Sequence, residues 1–288
     1  MNGLNHIAQA FEAVRAQGRA ALMPYFTLGY PNPPASLEVL LAVAQAGADL
    51  LELGVPFSDP LADGPTIQRS TQVALEQGMT VRRSLEMTAE LRRRGVRQPL
   101  LLMGYYNPIL AFGVQRFAQQ AALAGADGLI VPDLPPDESA ELEAACQDCG
   151  LALVFLLAPT STPGRIQEVA GRTRGFLYLV SLAGVTGERA SLPPDLQGFV
   201  QRARGAANTP VAVGFGISTP EQARVVGQMA DGVIVGSALI RAVEQAAQPA
   251  QAAGEFVARL RQALEPVKPG PGAPIPEMDP AVTSSLEP

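Results

Sequence analysis

The segment "AVAQAGADLLELG" (residues 42–54) joins the end of a helix-like stretch to an apolar strand-like run through a few small residues. The same arrangement returns in "AALAGADGLIVPD" (121–133) and in "GQMADGVIVGS" (227–237). A helix followed at once by a buried strand is the repeating unit of α/β proteins with a parallel sheet. The three copies therefore predict that this unit recurs along most of the chain.

Apolar runs elsewhere in the chain complete the pattern. Runs such as "PLLLM", "LALVFLL" and "PVAV" are typical of strands buried on both faces of a parallel sheet. The strands are predicted at 20–27, 49–53, 99–104, 127–131, 151–157, 175–181, 209–214 and 231–236. Helix-like stretches separate them. This alternation predicts an α/β fold, a single (β/α)8 TIM barrel with an extra N-terminal helix at about 4–17.

The composition limits the possible partners and the compartment. The net charge is −6 with a pI near 5.0, and no basic tract stands out, so nucleic acid and anionic membranes are not expected partners. The two cysteines exclude a disulfide scaffold and favour a cytosolic setting. The N-terminal residues contain no apolar signal core. A cytoplasmic protein is therefore expected.

The chain divides into two unequal parts. Residues 1–265 are predicted to form the barrel as one catalytic domain. Residues 266–288 contain seven prolines in 23 residues and almost no apolar run. Such a composition is typical of a disordered or extended tail, and no catalytic role is assigned to it.

Glu52 interrupts an apolar strand in "DLLELG". Because side chains alternate along a strand, Glu52 faces the opposite side from Leu51 and Leu53. If those leucines pack against helices, Glu52 points into the barrel near the carboxyl ends of the strands, where active sites of this fold lie. A partly desolvated carboxyl group there has a raised pKa and suits proton transfer. The structural alternative is a buried glutamate paired with a lysine or arginine.

Asp63 follows Glu52 by eleven positions in the loop "PLADGPT". Prolines stiffen this loop, which leads into a helix near Thr66, so its carboxylate could fold back over the mouth of the barrel and face Glu52. An Asp-Gly pair is equally common as a plain turn, and that alternative stays open. Asp59 carries the same ambiguity, with a turn or loop-anchoring use favoured.

Two glycine-containing loops in the second half of the chain predict a phosphate site. "VGFGIST" (213–219) follows the seventh predicted strand, and "IVGSALI" (234–240) follows the eighth and passes directly into a helix. Barrels often bind phosphate between these two loops at a helix N-terminus, where backbone N–H groups meet the anion. Either motif alone is weak, since glycine after a strand is usually only a turn.

Three other strand ends carry polar or aromatic residues. "SLAGVTGERASLPPD" (181–195) is long for its position and is either a lid or an ordinary mobile connection. "MGYYNP" (103–108) offers Tyr105 and Tyr106 as an aromatic wall. Asp133 in "VPDLPPDES" could brace the mouth or cap the helix after Pro135.

The remaining candidate ligands do not indicate a metal or redox site. His6 is the only histidine and lies in the first predicted helix. The pair Cys146 and Cys149 forms C-x-x-C at the end of a predicted helix, away from any strand end. No G-x-G-x-x-G follows a strand to indicate a dinucleotide. No metal ligands are therefore predicted.

Six motifs in this order resemble the tryptophan synthase alpha chain family. They are "LELGVPFSDPLADGPTIQ", "MGYYNPIL", "VPDLP", "SLAGVTG", "GFGIS" and "VGSAL". The resemblance covers about residues 4–264, and the first motif is long and specific. It implies a retro-aldol cleavage of indole-3-glycerol phosphate to indole and glyceraldehyde 3-phosphate, with no metal or organic cofactor in this chain.

The same resemblance implies roles for individual residues. Glu52 matches the catalytic glutamate, which would protonate indole C3 and then accept the side-chain hydroxyl proton, and Asp63 matches the aspartate that would bind the indole N–H. The substrate-binding positions are Tyr25, Tyr105, Ile130, Leu156, Tyr178 and Thr186. The phosphate-binding positions are Gly187, Gly214, Phe215, Gly216, Gly236 and Ser237.

The family also implies a partner. A beta chain that holds pyridoxal phosphate (PLP) would receive indole in an alpha2-beta2 tetramer, with residues 55–62 and the "MGYYNPIL" region at the interface. Three alternatives stay open: a free-standing indole-3-glycerol phosphate lyase, another phosphosugar isomerase or aldolase on the same barrel, and an inert chain that only activates the beta chain.

Overall fold

The computed structural model describes residues 2–180, 195–214 and 216–266. Its strands are β1 (Ala21–Thr27), β2 (Leu51–Gly54), β3 (Leu100–Met103), β4 (Gly128–Ile130), β5 (Ala152–Val154), β6 (Leu156–Leu157), β7 (Leu177–Val180), β8 (Val211–Gly214) and β9 (Gly232–Val235). They form one parallel sheet in the order β5-β4-β3-β2-β1-β9-β8-β7-β6. Since β5 and β6 are consecutive pieces of one extended segment, the ring has eight positions, which confirms the predicted (β/α)8 barrel.

The helices follow the strands along the chain. They are α1 (Gly3–Ala16), α2 (Pro33–Gln45), α3 (Pro65–Glu76), α4 (Val81–Arg93), α5 (Tyr106–Phe112), α6 (Val114–Leu123), α7 (Ala140–Cys149), α8 (Pro163–Arg172), α9 (Leu196–Ala206), α10 (Pro220–Met229), α11 (Ser237–Glu244) and α12 (Pro249–Ala263). A 3₁₀ turn, Pro136–Glu138, precedes α7. Among the described residues, no helix combines the length and the apolar character needed to cross a membrane.

The buried residues form two clusters that the sheet separates. The outer cluster contains Leu51 and Leu53 together with the inward faces of the helices. The inner cluster fills the barrel and contains Leu50 together with Ile7 and Phe11 of α1. The extra N-terminal helix therefore packs its apolar face against the barrel interior, as expected from the spacing of three to four positions between its buried residues.

The structure differs from the predicted elements at three places. The predicted strand 151–157 is interrupted at Phe155, whose N–H bonds the Thr173 hydroxyl (3.1 Å) instead of a neighbouring strand. The region after Tyr105 contains the additional helix α5. The helix-like stretch after the eighth predicted strand is two helices, because Pro249 lacks the N–H that a continuous helix needs and instead begins α12.

The aspartate of each of the three sequence repeats has the same structural role. Asp49, Asp127 and Asp231 each precede a strand, and each bonds one residue of the neighbouring strand twice. The backbone N–H of Asp127 bonds Leu100 O (2.7 Å), and its side chain accepts from Leu100 N (2.8 Å). Asp49 does the same with Leu22, and Asp231 with Val211. These closed pairs fix the parallel register at the amino ends of the strands.

We expect Asp127→Ala to lower the free energy of unfolding by about 3–5 kcal/mol, because its carboxylate has charged partners in a largely buried site. Arg92 (2.5 Å) and His6 (2.8 Å) both contact this carboxylate, which also accepts the Leu100 N–H. Urea unfolding measures the change. Asp148→Ala, at an exposed position of α7, is the control and should stay within about 0.5 kcal/mol of the unmodified chain. Equal effects of the two substitutions contradict this account.

Some predictions fall outside the described residues. Thr186, Gly187 and the predicted lid lie within 181–194, apart from the last lid position, Asp195. Phe215 also lies outside, as does the predicted tail apart from Pro266. Those predictions stay predictions.

Candidate active site

A cavity of about 400 Å³ opens at the carboxyl ends of the strands. Its lining residues come from the ends of six strands and from the loops and helix starts that follow them. They are Tyr25, Ala62, Asp63, Ile67, Met103, Pro132, Leu156, Leu157, Ala158, Ser161, Tyr178, Val180, Gly214, Gly216, Ile217, Ile234, Gly236, Ser237, Ala238 and Arg241. The cavity lies where this fold places its chemistry, and its lining is mainly apolar with a few convergent polar groups.

Glu52 is buried at the edge of this cavity. It is 0% exposed and does not itself line the cavity, but it is paired in register with Tyr25, which does. Among the described residues, neither carboxylate oxygen has a hydrogen-bond partner. Burial raises the pKa of Glu52 well above its usual value, and the nearby Tyr178 hydroxyl only partly offsets this effect. Within the described part of the chain, Glu52 is therefore not paired with a lysine or arginine.

Asp63 lies in the loop that follows β2, before α3. Its Oδ2 accepts a hydrogen bond from the Tyr105 hydroxyl (3.0 Å). The Tyr105 hydroxyl oxygen in turn accepts a hydrogen bond from Ala62 N (3.0 Å). Asp63 is only 6% exposed, and burial raises its pKa to about 6 although the Tyr105 bond acts in the opposite direction. Its backbone forms the expected turn, because the N–H of Asp63 bonds Pro60 O (3.0 Å). Asp63 therefore forms a backbone turn and also places its carboxyl group in the site.

Two tyrosines place both carboxyl groups in one electrostatic environment. Burial raises the pKa of Tyr178, and the charges of Glu52 and then Asp63 raise it further. Burial and then the charge of Asp63 raise the pKa of Tyr25, with a smaller contribution from Glu52. Each phenol therefore interacts with both acids. Glu52 and Asp63 lie around the same end of one cavity.

Two glycines leave the space that these tyrosines occupy. A Cβ atom at Gly54 would lie 2.2 Å from the Tyr25 hydroxyl oxygen, and one at Gly214 would lie 2.9 Å from that of Tyr178. Both distances are shorter than any real contact of a Cβ atom. Larger residues at these strand ends would displace the two phenols from the acids.

The predicted phosphate end of the cavity is also assembled. Gly214 and Gly216 follow β8, and Gly236 and Ser237 lie where β9 passes into α11. No side chain caps the start of α11, and Gly236, Ser237 and Ala238 at that start line the cavity. An exposed helix N-terminus of this kind attracts anions.

The structure brings most of the predicted residues together and separates one. Asp63, Tyr25, Leu156, Tyr178, Gly214, Gly216, Gly236 and Ser237 line the cavity. Tyr105 contacts the site through Asp63. Ile130 is fully buried in the interior cluster and does not line the cavity. The assignment of Ile130 to the pocket wall rests on the family resemblance alone.

Arg241 is a cavity residue that the sequence reasoning did not select. It lies four positions after Ser237 on α11 and therefore on the same helix face. Its Nη1 donates to the Thr66 hydroxyl (3.1 Å), which brings a guanidinium to the phosphate end. The i, i+4 spacing from Ser237 was the signal that could have identified it.

The other polar candidates have structural roles. Asp133 accepts from Tyr106 N (2.9 and 3.2 Å) and so caps α5, not the helix after Pro135. Asp59 is exposed and accepts from the neighbouring Ser58 hydroxyl (2.5 Å). Burial raises the pKa of the Cys146 thiol to about 12, which disfavours a reactive thiolate. Within the described ranges, no cluster of three potential metal ligands is present.

Comparisons with known proteins agree on one family. The family described as Tryptophan synthase alpha chain matches residues 11–267. The tryptophan synthase alpha chain of Roseiflexus sp. (strain RS-1) is 51% identical over 256 residues, which cover 89% of this chain and 96% of that one. A relative with the same name from Roseiflexus castenholzii is 50% identical over 259 residues, covering 90% and 97%. Among solved structures, a chain of Mycobacterium tuberculosis tryptophan synthase superposes with a TM-score of 0.85 at 39% identity, covering 90% of this chain and 98% of that one.

Proposed function

Because the chain belongs to the tryptophan synthase alpha chain family and cleaves indole-3-glycerol phosphate to indole and glyceraldehyde 3-phosphate in tryptophan biosynthesis, we propose that Glu52 and Asp63 perform this cleavage. The burial of both carboxyl groups around one end of the cavity is the observation that carries the proposal. The activity is that of a carbon–carbon lyase.

Glu52 transfers both protons of the reaction. Its raised pKa favours the protonated acid, which gives its proton to indole C3 and makes the ring an electrophilic indolenine-like species. The carboxylate left behind then takes the proton of the side-chain hydroxyl while the C3–carbon bond breaks and the aldehyde forms. Glu52 ends the cycle protonated again, so the proton balance closes without another acid.

Asp63 stabilises the charge that develops on the ring. Protonation at C3 leaves positive charge at the indole nitrogen, and a fixed carboxylate there accepts the N–H hydrogen bond. With a pKa of about 6, Asp63 is mostly ionised at neutral pH. A raised pKa at Glu52 and an ionised Asp63 suit the two roles.

The substrate phosphate binds where the segments that follow β8 and β9 line the cavity. Gly214, Gly216, Gly236 and Ser237 present backbone and hydroxyl donors, and Arg241 adds positive charge. We assign Gly187 and Phe215 to the same phosphate site and Thr186 to the substrate pocket from the family pattern. Tyr25, Tyr105, Leu156 and Tyr178 are proposed to surround the indole ring.

A Schiff-base aldolase is disfavoured by the lysine content. The chain has one lysine, Lys268, among 21 basic residues, and it follows the barrel. A Schiff-base mechanism needs a lysine amine among the reacting groups. The described part of the cavity contains none, and its two acids suit proton transfer instead.

Indole release by the purified chain tests the proposed function. We expect indole-3-glycerol phosphate to be cleaved and phosphosugars without an indole ring to be left intact, because Asp63 acts on the indole N–H. Comparable turnover of a simple phosphosugar would contradict the proposal and support a different aldolase or isomerase.

We further propose a beta chain as partner, in an alpha2-beta2 tetramer, with PLP in that partner and a cytoplasmic location. Family membership supports a beta-chain partner. Two exposed leucines support the predicted interface: Leu61 is 92% exposed in the loop after β2, and Leu110 is 52% exposed on α5. Both lie on segments that follow strand ends near the cavity, where indole could pass to a partner.

Leu61→Asp and Leu110→Asp should each weaken activation by the beta chain at least about tenfold, because each places a charge in an apolar contact. Leu123→Asp is the matched control, since Leu123 is 80% exposed on α6, away from both segments. Titration of each variant with beta chain while indole release is followed gives the measurement. Fast turnover of the isolated chain that beta chain does not change would favour a free-standing lyase.

A further inference from the structure

A row of three buried hydroxyl groups leads away from the active site. The Tyr25 hydroxyl lies 3.4 Å from Thr27 Oγ1, and Thr27 Oγ1 lies 2.7 Å from Ser70 Oγ. Ser70 in turn lies 2.8 Å from the carbonyl oxygen of Ile67, one turn earlier on α3. Thr27 and Ser70 are almost completely buried. The row thus joins β1 to the helix that follows the Asp63 loop.

Only one arrangement of the hydrogens makes all three contacts hydrogen bonds at the same time. A carbonyl oxygen can only accept, so Ser70 donates its single hydrogen to Ile67 O. Ser70 must then accept from Thr27, which uses the only hydrogen of Thr27. The Thr27 oxygen is therefore left as an acceptor for the Tyr25 hydroxyl. In this arrangement Tyr25 donates to Thr27, Thr27 donates to Ser70, and Ser70 donates to the carbonyl oxygen of Ile67.

The direction matters because of what surrounds Tyr25. Its Cα pairs with that of Glu52 across two parallel strands, and Tyr25 lines the cavity. Gly54 leaves the slot that its hydroxyl occupies. The titratable and charged groups around it are Glu52 on β2, Asp63 before α3, Tyr105 after β3, Tyr178 on β7 and Arg241 on α11.

We propose that Thr27 and Ser70 are positioning residues that hold the Tyr25 hydrogen away from Glu52 and Asp63 and leave a Tyr25 lone pair facing the substrate. A phenol that donates to a carboxylate stabilises the charged form and lowers its pKa. Glu52 has to begin the reaction as an acid, so a phenol that donates to it would work against it. The inference rests on the catalytic roles proposed above.

The competing explanation is that the row only fastens α3 to β1. In that case its loss lowers stability and leaves the protonation of the acids unchanged. A pH profile separates the two explanations, because a fastening role cannot move the pH at which the cleavage rate falls.

Thr27→Val removes the acceptor at nearly constant shape, and Thr27→Ser keeps it. In full-length Thr27→Val, the freed Tyr25 hydrogen turns to a carboxyl group. We expect at least one limb of the pH profile of single-turnover cleavage to move to lower pH by about 0.5–1 unit. The basic limb moves if Glu52 accepts, and the acid limb moves if Asp63 accepts. Thr27→Ser should keep the limbs of the unmodified chain.

Tyr25→Phe combined with Thr27→Val tests whether the shift passes through the phenol. The double variant has no hydrogen to redirect, so the limbs should return to their original positions. Unmoved limbs in Thr27→Val, or a shift that persists in the double variant, overturn the proposal. Ser70→Ala is the second single variant and should shift a limb in the same direction, because it removes the acceptor that orients Thr27. If Glu52→Gln remains active, the catalytic assignment itself fails, which is a distinguishable result.

Discussion

Glu52→Gln should lower the rate of indole-3-glycerol phosphate cleavage by a factor of about 10³ or more, equivalent to about 4 kcal/mol of transition-state stabilisation. The amide can neither protonate indole C3 nor accept the hydroxyl proton, so both transfers assigned to this residue are lost. Single-turnover indole release with enzyme in excess measures the loss.

The substitution should not weaken the fold. Glu52 is fully buried and its pKa is raised by that burial, so a neutral isostere removes a cost and leaves the packing intact. The midpoint of urea unfolding at pH 8 should therefore stay the same or increase. Glu255→Gln, at an exposed position of α12, is the control and should keep full activity. Unchanged cleavage by Glu52→Gln would remove the proton-transfer assignment.

Asp63→Asn should lower the cleavage rate by about 10²–10³-fold, because an amide carries no negative charge to stabilise the charged indole ring. The substituted side chain can still contact the Tyr105 hydroxyl. Substrate affinity should change much less than the rate, since Asp63 is not one of the residues proposed to bind the phosphate. Separate measurement of kcat and substrate Kd tests this division.

The same substitution should stabilise the protein at neutral pH. The pKa of Asp63 is about 6 in the folded chain and 3.8 for an ordinary aspartate. Because the folded-state pKa is raised, ionisation of Asp63 costs stability as the pH rises from about 4 to 6, by about 3 kcal/mol at most. Asp63→Asn should thus be more stable by about 1–3 kcal/mol at pH 7.5 and gain nothing at pH 4.

Asp59→Asn is the matched control for this stability effect. Asp59 lies in the same loop but is exposed, so its removal should change the free energy of unfolding by no more than about 0.5 kcal/mol at either pH. If Asp63→Asn were destabilising at pH 7.5, Asp63 would be a structural residue of the loop.

The strands were predictable because burial on both faces leaves apolar runs that are visible in the sequence. The break at Phe155 was not, since it depends on the Thr173 hydroxyl, eighteen positions away in the chain. The sequence did not predict α5 because Pro108 within it and Gly113 just after it resemble turn residues. Pro249 was visible but was read as part of one helix.

The acids of the site could be located from the sequence because each conflicts with its local setting. Glu52 is a carboxyl group in an apolar strand, and Asp63 lies in a loop that prolines stiffen. The row of Tyr25, Thr27 and Ser70 could not be located, because Ser70 is a small polar residue within an ordinary helix. Its partner lies 43 positions earlier, so only the folded structure brings the hydroxyls together.

The ratio of kcat/KM for the unmodified chain to that for Asp63→Asn, measured from pH 8 to pH 5, tests the central claim most directly. The substrate phosphate also titrates near pH 6, but this contribution cancels in the ratio. If cleavage needs a protonated Glu52 and an ionised Asp63, this ratio should be constant above about pH 7. It should fall by up to about tenfold per pH unit below the Asp63 pKa of about 6, because Asp63 becomes protonated there. A ratio that stays constant down to pH 5 would contradict the account.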